Sequence, residues 1–61
     1  MIQKDQLIQD LNAMAKTMAE TADKMQSYSF DARIRQHALE LLGASRIAME
    51  WAQEIEKDET L

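Results

Sequence analysis

The chain has no cysteine, no proline and one glycine, and it carries a single histidine, tryptophan, tyrosine and phenylalanine among its 61 residues. Each shortage removes a class of structure. Without cysteine there is no disulfide to staple a small domain and no thiolate zinc site. One histidine leaves a structural metal without enough ligands. With one glycine and no proline, a sheet of many tight turns lacks its turn residues, and a glycine-rich phosphate loop is excluded. Three aromatic rings give little on which to stack nucleic-acid bases. Long apolar runs are missing too. The most apolar segment, Ala38 to Ala52, is interrupted by Glu40, Arg46 and Glu50, which rules out a membrane span. The start, MIQKDQLIQD, has no apolar stretch after a positive residue, so no signal peptide is expected. With its opening Met and charged last residues, the chain reads as a complete small open reading frame and a cytoplasmic protein.

The formal charge is −4, unevenly spread. Up to Met49, Lys4, Lys16, Lys24, Arg33, Arg35 and Arg46 balance Asp5, Asp10, Glu20, Asp23, Asp31 and Glu40. The excess comes from Glu50, Glu54, Glu56, Asp58 and Glu59, which face only Lys57. A neutral body with an acidic end argues against a general nucleic-acid binder, though it leaves room for a local basic patch.

What is present is helical period. Leu7, Leu11, Met14, Met18 and Met25 step by four, three, four and seven, with Ile8, Ala15 and Ala22 beside them at sevens and polar residues between. This predicts an amphipathic helix over about 3–27. Ile34, Ala38, Leu41, Ser45, Ala48, Ala52 and Ile55 alternate steps of four and three, a heptad seam that predicts a second helix over about 31–56. The pattern breaks at Ser27-Tyr28-Ser29-Phe30-Asp31, with the turn at about 28–30, and either Ser29 or Asp31 suits the N-cap of the second helix. Residues 57–61 are expected to be a frayed acidic tail. The fold class is therefore all-α, one antiparallel two-helix hairpin over residues 1–61.

Ala38, Ser45 and Ala52 recur at sevens, as do Ala15 and Ala22. Small residues at that spacing allow two helices to approach closely, so these five are expected to close the hairpin; the alternative is that alanine is simply a good helix former. The large residues Leu11, Met14, Met18, Met25, Leu41, Leu42, Met49 and Ile55 are then left on one apolar face. That face is wider than a soluble monomer usually shows. A core in a chain this short rarely supplies more than ~3–5 kcal/mol, which leaves self-association or an unusually efficient core. The expectation is a homodimeric four-helix bundle with those eight residues as its core.

Helix 2 has a further ridge, Leu39, Gly43, Ile47 and Trp51, at steps of four. It is either a docking strip for another protein, with Gly43 as its flat spot, or part of the core with helix 2 as the inner element. Glu54, Glu56, Asp58 and Glu59 would form an acidic rim steering basic partners. Lys24, Arg33, Arg35 and His37 gather positive charge near the turn and are candidate phosphate or RNA contacts; otherwise they are a solvated first helical turn. His37 and Glu40 share a helical turn, but no third or fourth ligand is in view, and no nucleophile can be paired with one histidine. No catalytic residue, metal, cofactor or small-molecule substrate is expected.

In layout, two long helices, a short turn, small residues in the seam and a dimeric bundle within about sixty residues, the chain resembles the Rop family of plasmid copy-control proteins. That resemblance implies a four-helix dimer that binds paired RNA stem-loops, with no contact residue transferable to a position here. The format is also similar to small accessory proteins of temperate phages that bind host factors. The sequence points to a non-enzymatic homodimer acting as a protein-interaction or regulatory module of a phage or plasmid, with an RNA-binding dimer as the alternative.

Overall fold

The computed structural model describes residues 2–58 and contains two helices, α1 (Lys4–Tyr28) and α2 (Ala32–Lys57), packed along their length, with no strand among the described residues. The molecule is a rod of 46 × 14 × 14 Å. The helix limits fall within a residue of those expected from the sequence. Asp31 caps α2 rather than opening it, and Lys57 belongs to α2 rather than to a tail. Asp58, also from the expected tail, is the C-cap of α2, and 59–61 lie outside the described residues.

The reversal is built without glycine, and no described residue has positive φ. Two extended residues turn the chain, Ser29 (φ −151, ψ 145) and Asp31 (φ −60, ψ 129). Of the two candidates, Asp31 is the N-cap of α2, and Ser29, the C-cap of α1, braces it. The Asp31 amide donates to Ser29 Oγ at 3.0 Å, and Asp31 Oδ1 accepts from the Arg33 amide at 2.8 Å, taking one of the amides that α2 leaves free at its start. Asp31→Ala is therefore expected to cost about 1 kcal/mol, read as a lower denaturation midpoint; an unchanged midpoint would assign the cap to water. At the other end the Asp58 amide donates to the Ile55 carbonyl at 3.2 Å, and Lys4 Nζ donates to the Asp58 carbonyl at 3.0 Å, joining the two helix ends.

With heptad letters, position a is Ile8, Ala15 and Ala22 on α1 and Ala38, Ser45 and Ala52 on α2; position d is Leu11, Met18 and Met25 facing Ile34, Leu41, Ala48 and Ile55. Among the described residues the buried ones are Ala15, Ala22, Ala38, Ser45, Ala48 and Ala52. Five of these six are the small a residues, and Ala48 joins them from d. Buried Ser45 spends its hydroxyl on the Leu42 carbonyl at 2.7 Å, so it costs the seam no unpaired polar group.

Among the described residues, nothing larger than serine is buried; Ile8, Leu11, Met18, Met25, Ile34, Leu41, Leu42 and Ile55 are half-buried. A methyl removed from water contributes only about 0.8 kcal/mol. The accessible surface, 5153 Å², exceeds by roughly a quarter the ~4,000 Å² typical of a compact monomer of this mass. The hairpin is a seam of small residues, with its large apolar side chains half-buried along the edges of the seam or exposed.

Candidate interaction surface

A hairpin seam leaves two flanks, one bordered by the g positions of both helices and one by the e positions. In an antiparallel pair g lies beside g and e beside e. The register follows from the short turn: residues whose numbers sum to about 60 lie level. Lys4 with Asp58, Leu7 with Ile55 around one depression, and Gln26 with Arg35 around another, all obey it.

The g flank is apolar on both helices over its length away from the turn. Leu7 and Met14 come from α1, Ala44 and Trp51 from α2, and the half-buried d residues Leu11, Met18, Met25 and Ile55 lie beneath them; Thr21 and His37 take the g positions nearer the turn. Met14 is 47% exposed and Trp51 53%, with Ile47 beside it at position c also exposed. The e flank carries Asp5, Asn12, Ala19 and Gln26 from α1 against Arg35, Leu42, Met49 and Glu56 from α2, so its large apolar side chains are confined to α2.

Helical geometry thus divides the eight residues expected to form one dimer face. Leu11, Met14, Met18, Met25, Leu41 and Ile55 lie in the seam or on its g side; Leu42 and Met49 stand on the e side. It also divides the expected partner strip. Leu39, Gly43, Ile47 and Trp51 occupy positions b, f, c and g, so the ridge winds around the back of α2, with Leu39 next to the e flank and Trp51 on the g flank. Leu39, Ile47 and Trp51 are all exposed, and a Cβ added at Gly43 would meet nothing within 4 Å. No close approach of α1 explains the glycine.

The basic cluster is divided in the same way. Arg35 borders the e flank in a shallow depression with Gln26, Phe30 and Leu39. Arg33 and His37 line a second depression, with Asp31 and Ile34, on the g side. Lys24, at position c of α1, lies on that side too. Arg33 Nε is 3.7 Å from Asp31 Oδ1 in the open, a pair of small energetic value, and His37 Nδ1 lies 2.9 Å from Glu40 Oε1. Of the acidic rim, Glu54 is at c, Glu56 at e and Asp58 caps α2; Glu59 is outside the described residues. No group of three or more metal-ligating side chains forms among the described residues, and no described helix is long and apolar enough to cross a membrane.

Sequence reasoning passed over three exposed residues as site candidates. Tyr28 and Phe30, 83% and 95% exposed, flank the turn, and Leu7 is the g residue within about a turn of the level of Trp51 and Ile55. The signal for Leu7 and Met14 was their seven-residue spacing at g, adjacent to d. Compared with known proteins, the chain matches no family, no curated protein and no solved structure, so the likeness to the Rop layout stays one of architecture.

Proposed function

We propose that this chain is a small non-enzymatic homodimer, a four-helix bundle that serves as a protein-interaction or regulatory module in the cytoplasm. One observation carries the reading: among the described residues nothing larger than serine is buried in the single hairpin, while Leu7, Met14, Ile47, Met49 and Trp51 stand exposed. A hairpin held by alanine methyls lacks the burial that offsets chain ordering, and a second copy supplies it. The absence of cysteine fits a reducing compartment. After dimerisation through one flank, the α2 stripe of Leu39, Leu42 and Met49 and the acidic end with Glu54 and Glu56 remain for a protein partner. Sedimentation equilibrium at micromolar concentration is expected to give twice the chain mass, with a melting temperature that rises with concentration. A folded monomer under those conditions overturns the reading.

RNA binding is the second reading. Tyr28 and Phe30 are bare at the turn, next to Arg33 and Arg35, and rings beside cations suit unpaired bases. Titration with a hairpin RNA separates the two. If RNA is the ligand, Arg33→Glu with Arg35→Glu abolishes binding and its salt dependence; if a protein is, the wild type shows no salt-dependent RNA affinity to lose.

A further inference from the structure

The geometry points to one arrangement of the two copies: they meet through their g flanks with their turns at opposite ends, α1 against α1 and α2 against α2. This rests on the dimer reading above and adds a face and a direction to it. The choice of face follows from composition. Away from the turn Leu7, Met14, Ala44 and Trp51 make the g flank apolar on both helices, with Thr21 and His37 nearer the turn, whereas the e flank offers Asp5, Asn12 and Gln26 along the whole of its α1 side.

The direction follows from charge. Lys24 and Asp10 on α1, and Arg33 and Glu54 on α2, all occupy heptad position c, at the outer edge of the g flank. Both cations lie near the turn and both anions near the open end. Lys24 and Asp10 are centred on residue 17; Arg33 and Glu54 are centred between residues 43 and 44. By the register of the hairpin these two centres are level with each other. A single two-fold axis running across the flank there, at right angles to the helices, sets Lys24 of each copy against Asp10 of the other, and Arg33 against Glu54. The same axis, near the middle of the 46 Å rod, overlaps the hairpins almost fully and lays small Ala44 at the crossing. Turns at the same end would instead set basic end on basic end and acidic on acidic. The remaining charged c residue, Glu40, is held by His37 and meets the apolar c residue Ile47 in the opposed arrangement.

Spin labels at Phe30→Cys, in a chain with no cysteine of its own, read the direction directly. Residue 30 is 95% exposed and sits in the turn, beyond the ends of both flanks. The expected separation between the two labels is about 40 Å, from 1.5 Å per helical residue. A dimer with labels within about 20 Å overturns the arrangement while leaving the dimer reading intact; a folded monomer overturns both. Exchange of charges at exposed positions tests the face. A chain with Lys24→Glu and Arg33→Glu, and another with Asp10→Lys and Glu54→Lys, are each expected to dimerise at least about tenfold more weakly than wild type, and their equimolar mixture to recover the loss as a heterodimer. A mixture no tighter than its components overturns the choice of flank.

Discussion

Ala22→Leu is expected to remove most of the stability of the hairpin. Ala22 and Ala38 are each 0% exposed and, by the register of the hairpin, lie near one level of the seam, where the buried side chains of both helices are small. A leucine there has no hole to enter. It must push α1 away from α2, and because the a residues repeat every seven along stiff helices, separation at one layer also loosens Ala15 against Ser45. Overpacking of this kind costs about 1–3 kcal/mol, and a core of this size supplies little more than that in total. For a domain of this length the loss corresponds to a fall in melting temperature of about 10 °C or more. Leucine at both Ala22 and Ala38 should leave no cooperative transition. Ala13→Leu, at exposed position f on the same helix, is the control and should change stability by about 0.5 kcal/mol or less. Circular-dichroism melts decide it; an Ala22→Leu chain that melts like Ala13→Leu would show that the seam has slack and that alanine is there for helix propensity alone.

The seam itself was legible because its signal is one-dimensional. The alternation of four and three in Ile34, Ala38, Leu41, Ser45, Ala48, Ala52 and Ile55 is the seam of α2, and four of those residues are buried. The turn was legible for a similar reason: Ser29 and Asp31 are the residues whose side chains can hold free backbone amides, and both do so. The flanks were not legible by spacing. Residues four apart are neighbours, but each such step advances about 40° around an α-helix, so the four-member ridge from Leu39 to Trp51 turns through about 120° and leaves the face on which it started. Assigning Leu42 and Met49 to one flank, and Met14 and Trp51 to the other, also needs the side on which the second helix stands, which spacing within one helix does not contain. The run Arg33-Ile34-Arg35-Gln36-His37 shows the same limit. Residues adjacent in a helix point in different directions, so a cluster in the sequence becomes two half-clusters on opposite sides, Arg35 on the e flank and Arg33 with His37 on the g side.

Trp51→Ala should weaken the dimer by about a thousandfold. In the single hairpin Trp51 is 53% exposed, at position g on the apolar flank, within about a turn of the level of Leu7. In an isolated hairpin, truncating it costs little beyond its half-buried edge. In the opposed dimer the other half of the indole, on the order of 100 Å², is covered by the second copy near the level of Gln36 and His37. At about 25 cal/mol per Å² this is roughly 2–3 kcal/mol per copy, and the two-fold axis counts it twice, which gives about three decades or more in the dissociation constant. The tryptophan also reports on itself. Its emission should shift to the red as the wild-type protein is diluted through the dimer dissociation constant, in step with the loss of dimer mass. Were Trp51 instead the contact for a different protein, Trp51→Ala would leave both the sedimentation and the melting temperature of the dimer unchanged, and wild-type emission would not depend on concentration. The side chain that ends the exposed ridge of α2 thus separates a residue that builds the bundle from one the bundle presents.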